Sequence, residues 1–314
     1  MSDGASELKD GVGGMRIGTR GSLLARTQTE WVAERLRQAN PGLLLETQII
    51  QTTGDLRRDV PFAAVGTKGM FVKEIETALL EGLIDIGVHS LKDMPSVLPD
   101  GLELACVPVR ENPYDALLSR SGGALSDLPP GAVVGTSSVR RSAQLRHHRP
   151  DLIVRELRGN LDTRIRKMDE GEYDAIVLAA AGLNRLGWGD RITELLTSAV
   201  CVPAAGQGAL ALETRTGDAA TLIRLSTIHD AESADAIATE RAFLAALGGG
   251  CSVPAGAHAE VKGDRITLVA MIAAPDGSRL VRAEESDDRS NAAALGERVA
   301  KRLLLDGGQE LLSR

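Results

Sequence analysis

Met15-Arg-Ile-Gly-Thr-Arg-Gly-Ser22 has a counterpart further along the chain in Ala132-Val-Val-Gly-Thr-Ser-Ser138. Each is a short apolar strand that runs into a Gly/Ser/Thr turn, and each is followed by a helical pattern. The first helix is predicted over Leu23–Gln38, with Leu24, Trp31, Val32 and Leu36 on one side, and the second over Val139–His147. A second pair of strings repeats in the same order: Glu81-Gly-Leu-Ile-Asp-Ile-Gly-Val88 and Glu170-Gly-Glu-Tyr-Asp-Ala-Ile-Val177. Two related units that alternate strand and helix predict an α/β fold, with two parallel-type sheets facing each other across a cleft.

The remaining elements fill in around this repeat. Strands are predicted at Leu43–Gln51, Ile84–Val88, Leu102–Val109 and Ala116–Ser119 in the first unit and its exit. Asp55–Ala64 reads as a polar loop and Lys68–Leu80 as an amphipathic helix. In the second unit Leu152–Leu157 and Asp174–Ala179 read as strands, with a helix at Leu161–Glu170 between them. Ala199–Leu212 reads as strand, turn and strand, returning the chain to the first unit so that two crossings form a hinge. A third unit starts with a helix over Ala231–Leu247. It continues through strands at Ala257–Val261, Arg265–Ala274 and Arg279–Glu285 to a helix at Asn291–Leu305, a small α+β domain. Its entrance is Leu247-Gly-Gly-Gly-Cys-Ser-Val-Pro254, a helix stop that holds Cys251 on a Gly-rich turn. Alone, that stretch reads as a small buried thiol.

Composition narrows the function. The 314 residues carry a net charge of −7 and only 2% aromatics, which argues against a general nucleic-acid or anionic-membrane binder. Cys106, Cys201 and Cys251 are odd in number and widely spaced, so they form neither a disulfide framework nor a zinc spacing. The first fourteen residues are polar and Gly-rich without an apolar segment; they read as a disordered tail and not as a signal peptide. No run is long and apolar enough to span a membrane. These features suit a cytoplasmic enzyme. The five histidines show no paired metal-ligand spacing, so no metal is expected.

Charge is unevenly spread. Between Gly135 and Lys167 nine basic residues face three acids, leaving +6 in a chain of −7. Arginine dominates, and its planar fork matches carboxylates with two hydrogen bonds. Arg140 and Arg141 follow Thr136, Ser137 and Ser138 at a strand-to-helix turn, where free N–H groups favour an anion. Arg16, Arg20 and Ser22 occupy the parallel turn. An RNA-binding reading lacks aromatic residues within the basic stretch for stacking. A confined ligand with several carboxylates suits it better. In Ile86-Gly-Val-His-Ser-Leu-Lys-Asp-Met-Pro95, Ser90, Lys92 and Asp93 follow a buried strand at once, where open α/β sheets place ligands.

Taken in order, the strings resemble the porphobilinogen deaminase (hydroxymethylbilane synthase) family. They are Arg16-Ile-Gly-Thr-Arg-Gly-Ser22 with Gln28, Gly66-Thr-Lys-Gly-Met-Phe-Val-Lys-Glu74 and Val88-His-Ser-Leu-Lys-Asp-Met-Pro95. Gly135-Thr-Ser-Ser-Val-Arg-Arg141, Leu157-Arg-Gly-Asn160 with Thr163-Arg164, and Ala179-Ala-Ala-Gly-Leu-Asn-Arg185 follow. Pro203-Ala-Ala-Gly-Gln-Gly208 and Gly248-Gly-Gly-Cys-Ser-Val-Pro254 complete the set. The resemblance implies three domains: two lobes like periplasmic solute-binding proteins, at 15–109 with 204–228 and at 114–202, and a cysteine-bearing domain at 231–314. It implies a monomeric transferase with a dipyrromethane cofactor on Cys251, which joins four porphobilinogen molecules head to tail with loss of ammonia. Asp93 is then the catalytic carboxylate. Ser90, Lys92, Thr136, Ser137, Ser138, Arg140 and Arg141 are implied to hold the cofactor. Arg16, Arg20, Ser22, Gln28, Lys68, Phe71, Arg158, Arg164, Arg185 and Gln207 are implied to hold substrate or the lengthening chain. The family often has a lysine shortly before Lys68, where this chain has Ala63-Ala64; either it is dispensable or Arg57 or Arg58 substitutes. A two-lobed solute-binding protein is the rival reading, and it has no use for Cys251 or a third domain.

Overall fold

The computed structural model describes residues 14–52, 72–95, 97–248 and 254–312. The predicted tail up to residue 13, the polar loop, Lys68, Phe71 and Cys251 lie outside the described residues.

The first lobe opens with β1 (Gly14–Thr19), α1 (Leu23–Ala39) and β2 (Leu44–Ile49). It continues through α2 (Lys73–Leu80), β3 (Ile86–Ser90) and β4 (Leu102–Cys106). The chain then crosses to the second lobe, made of β5 (Asp115–Ser119), β6 (Val133–Gly135), α3 (Val139–His148) and β7 (Ile153–Arg155). There follow α4 (Leu161–Asp169), β8 (Ala175–Ala179), α5 (Ala180–Arg185) and β9 (Glu194–Leu196). A return crossing leads into β10 (Leu210–Arg215) and α6 (Ala219–Ser226) of the first lobe.

The sheet orders are β2-β1-β3-β10-β4 and β7-β6-β8-β5-β9, so the two lobes share one topology. Four strands of each sheet run parallel, as expected, and one departs from the pattern. In each, the fourth strand is antiparallel to both neighbours, and it is the strand that a crossing delivers: β10 in the first lobe, β5 in the second. A strand that enters from the other lobe has no crossover helix to reverse it, so it runs against its neighbours.

Helices cover both faces of the sheets, as strand alternation requires. In the second lobe Leu117, Ala175 and Val177 pack with Leu145 of α3, while Ala116, Leu118, Ile176 and Leu178 pack with Ile165 and Met168 of α4. The return crossing differs from expectation at Ala199–Val202, which forms no strand. Its backbone groups are taken by side chains instead. Val202 N–H donates to Gln144 Oε1 at 2.7 Å, and Val202 O accepts from Arg140 Nη1 at 2.6 Å. β4 likewise ends at Cys106 rather than Val109, because Val107 O accepts from Asp230 N and Arg110 N donates to Ser233 Oγ.

The C-terminal domain packs α7 (Ala231–Ala246) and α8 (Ala292–Leu303) on an antiparallel sheet. Its strands are β11 (Ala255–Lys262), β12 (Arg265–Ala273) and β13 (Leu280–Asp288). Phe243, Leu268, Ile272, Leu295, Val299 and Leu303 form its core, all fully buried.

Candidate active site

Two serine-capped helices and one short turn meet at the cleft. Ser22 caps α1 by accepting from Ala25 N at 3.3 Å, and Ser138 caps α3 by accepting from Arg141 N at 3.4 Å. Both helices therefore start just past the C-terminal ends of equivalent strands, β1 and β6, with their positive dipole ends toward the cleft. From the end of β3 a 3-10 turn, Leu91–Asp93, buries Leu91 and leaves Asp93 exposed.

A cavity of about 180 Å³ is lined by Lys92, Asp93, Ser138, Arg140, Arg141 and Gln207. Its cations are organised by a residue the sequence reading did not single out. Asp115, wholly buried at the start of β5, accepts from Arg140 Nη1 at 2.7 Å, Arg141 Nε at 2.8 Å and Gln207 Nε2 at 2.9 Å. The thiol of Cys201 also donates to it at 3.2 Å. Burial alone would push the Asp115 pKa up; the two arginines outweigh it and hold the carboxyl far below the usual range. Gln207 relays the arrangement to Lys92, since its Oε1 accepts from Lys92 Nζ at 3.3 Å and from Arg141 Nη2 at 3.4 Å. Burial, and then the nearby Arg141, lower the Lys92 pKa to about 8. A cation whose proton is held this loosely gains from an added carboxylate, so the cavity is suited to an anion.

Asp93 also borders a second cavity, of about 80 Å³, with Arg20, Ser22, Gln28 and Ser90. There Ser90 Oγ donates to Gln28 Oε1 at 3.1 Å. Arg20 and Ser22 continue into a third cavity, of about 190 Å³, which Arg164 lines from the second lobe. Burial, and then Arg141, lower the Arg164 pKa to about 10. The first and second spaces share Asp93, and the second and third share Arg20, Ser22 and Leu24, so the three follow one another along one groove.

The return crossing lines the first cavity through Ala204, Ala205 and Gln207. Gly206 and Gly208 both have positive φ, +77° and +88°, and both lie against other backbone. A Cβ at Gly206 would run into Leu91, and one at Gly208 into Glu111 O. Arg185 Nη2 donates to Gly208 O at 2.7 Å, which ties α5 to the return crossing. Glu240 of α7 forms a two-point pair with Arg110, at 2.7 and 3.0 Å, and accepts from the backbone of Gly206 and Ala259. The C-terminal domain is thereby fastened to both crossings. Leu244 and Ala255, which stand on either side of Cys251 in sequence, line the same cavity as Lys92 and Arg141.

Not every expected residue is brought to the groove. Arg16 stands apart from it. It lies toward the N-terminal end of β1, where its Nη2 is 3.1 Å from Asp85 Oδ1 and donates to Gly82 O at 2.8 Å. Asp85 also pairs with Arg215, so Arg16 belongs to an ion network outside the three cavities. Arg158 pairs with Glu156 at 2.6 Å and lines none of the three cavities. Thr136 is buried and shapes the turn by accepting from Ser138 N at 3.2 Å, while Ser137 is exposed. Asp115 and the Arg110–Glu240 pair were missed. A lone aspartate beside Pro113 reads as turn chemistry, and a pair 130 residues apart leaves no local pattern.

Comparison with known proteins completes the picture. The family description "Porphobilinogen deaminase, dipyromethane cofactor binding domain" matches residues 15–223, and "Porphobilinogen deaminase, C-terminal domain" matches residues 234–305. The porphobilinogen deaminase of Syntrophotalea carbinolica is 51% identical over 299 residues, covering 95% of each chain. That of Roseiflexus castenholzii is also 51% identical, covering 95% of this chain and 98% of its own. Among solved structures, the periplasmic VFT2 domain of Bordetella pertussis BvgS aligns at 17% identity and a TM-score of 0.40. It covers 68% of this chain and 86% of that one, and likeness of that degree carries no argument.

Proposed function

The chain belongs to the porphobilinogen deaminase family, and from that premise we propose how its groove works. The enzyme is a transferase that joins four porphobilinogen molecules head to tail on a covalent dipyrromethane primer, releasing ammonia, to give hydroxymethylbilane. When bound, the primer supplies a terminal pyrrole with an unsubstituted carbon to which the next unit is joined.

The residues present fit that primer. Each of its rings carries an acetate and a propionate, and the first cavity offers Lys92, Arg140 and Arg141 beside the α3 N-terminus. Lys92, Arg141 and Ser138 would hold the carboxylates directly. Arg140 spends its Nη1 on Asp115, Cys201 and Val202 O, so it both borders the cavity and braces it. Thr136 shapes the turn, exposed Ser137 would add a hydroxyl to the cofactor's carboxylates, Ser90 fixes Gln28, and Gln207 holds Lys92 and Arg141 in register. Cys251 would carry the thioether; Leu244 and Ala255, which flank it in sequence, line the cavity.

Arg20, Ser22 and Gln28 would orient the carboxylates of incoming porphobilinogen, with Arg164 and Arg185 taking those of the lengthening chain. Loss of ammonia leaves an electron-poor azafulvene, and positive charge gathers on pyrrole nitrogen. Asp93 would accept a hydrogen bond from that N–H and stabilise the charge as it develops. The observation that carries this reading is the position of Asp93, which borders both the cation-rich cavity and the Arg20–Ser22 cavity. Asp93→Asn should keep the fold and the primer mass and lower turnover by roughly 10²-fold or more. Retained turnover would remove Asp93 from the mechanism.

The enzyme would act as a monomer in the cytoplasm, where a reducing environment suits the buried free thiols of Cys106 and Cys201. Light scattering on the purified enzyme tests the monomer.

A further inference from the structure

Beneath the turn that carries Asp93 lies a buried ionisable group that the chemistry above does not use. On β3, Val88 faces the α1 side of the sheet, so Gly87 and His89 face the α2 side. β10 pairs antiparallel with β3, placing Glu213 opposite Gly87 and Ala211 opposite His89. Glu213 and His89 are thus diagonal neighbours on one face. Gly87 makes the room: a Cβ there would lie 2.9 Å from His89 Nε2 and 2.8 Å from Ile75 of α2. The imidazole folds back over the glycine, and its Nε2 comes within 3.0 Å of Glu213 Oε2, with both side chains almost fully buried. Glu76 reaches the same space from α2; burial and then Glu213 raise its pKa, and His89 opposes them.

Among the described residues, none of His89 Nε2, the two Glu213 carboxylate oxygens or Glu76 Oε1 makes an aligned hydrogen bond. Cys106 of β4 packs with Val88 on the opposite face of the sheet, and Arg16 and Arg215 are engaged with Asp85. A core built for stability alone gains nothing from three such groups, since apolar residues of the same volume serve as well or better. Yet His89 also borders the cavity that Asp93, Arg20 and Ser90 line, and Ser90 follows it directly in the chain.

We propose that His89, held by Glu213 with Glu76 behind it, is a positioning residue that fixes the end of β3, so that Lys92 and Asp93 leave the sheet in working orientation. This rests on the reading of Asp93 as the catalytic carboxylate. The imidazole ties β3 to β10 at the last turn before the reacting groups, and a small error of direction there is costly in rate.

The test is steady-state kinetics on primer-loaded enzyme. His89→Ala should lower kcat by roughly 10–100-fold with KM for porphobilinogen within about two-fold, and His89→Gln, whose amide can take the imidazole's place beside Glu213, should recover most of the loss. Glu213→Gln should reproduce the kcat defect and covers the case in which His89→Ala fails to fold. A fall in melting temperature with unchanged kcat, or equal defects in the alanine and glutamine variants, would overturn the proposal. Retained turnover in Asp93→Asn would instead overturn the reading on which it rests.

Discussion

Asp115 binds two arginines, a glutamine and a thiol, and so sets the charge pattern of the anion cavity from behind. Asp115→Asn would leave Arg140 and Arg141 buried without a counter-charge, at a cost of about 3–5 kcal/mol in stability and with reduced primer loading. Its folded pKa is depressed, so its contribution is present above the unfolded value of about 3.9 and is lost as pH falls through the folded value. Urea denaturation should therefore show the gap between wild type and variant closing only in strong acid. Arg16→Gln should behave differently. Its partner network is only partly buried, and Asp85 keeps Arg215, so stability should fall by about 1 kcal/mol while KM stays within about two-fold. A large KM increase would return Arg16 to the substrate. At this scale Lys92, Asp93, Arg140 and Arg141 were legible because they follow strand ends at turns. Arg16 was grouped with Arg20 and Ser22 because it stands in the same string, yet it lies within β1 and not past its C-terminal end.

At the scale of elements, the repeat of strand, serine-capped turn and helix was visible in the sequence, and β1–α1 and β6–α3 carry it in the structure. The antiparallel fourth strands were not visible, because an apolar strand buried on both faces carries no mark of its direction. The return crossing was read as a strand for its apolar residues, whereas Arg140 and Gln144 occupy the backbone groups a ladder would need. This makes the crossing a built part of the site. Gly208→Ala has to move either the crossing or Glu111, and it forces a positive φ on a residue with a Cβ. It should destabilise the fold by a few kcal/mol, on the order of other strained backbone substitutions, and slow turnover. Thermal melts read beside activity check this; a variant with wild-type values for both would show that the close approach is dispensable.

Across the whole molecule, two lobes of one topology meet along a groove, and the C-terminal domain is pinned to their crossings by Glu240. That attachment gives Cys251 its meaning. The sequence around it, a Gly-rich stretch after α7, carries no motif of an activated thiol. A sulfur that reacts once with an already activated azafulvene and then serves as a tether needs no such activation. Its flanking residues border the cavity that gathers Lys92, Arg140 and Arg141. The central claim, a primer held covalently in that cavity, is tested most directly by the intact mass of the enzyme purified from a haem-making host. The wild type should exceed its sequence mass by one dipyrromethane unit, and Cys251→Ser should lose that excess. A wild-type protein at its bare sequence mass would contradict the account.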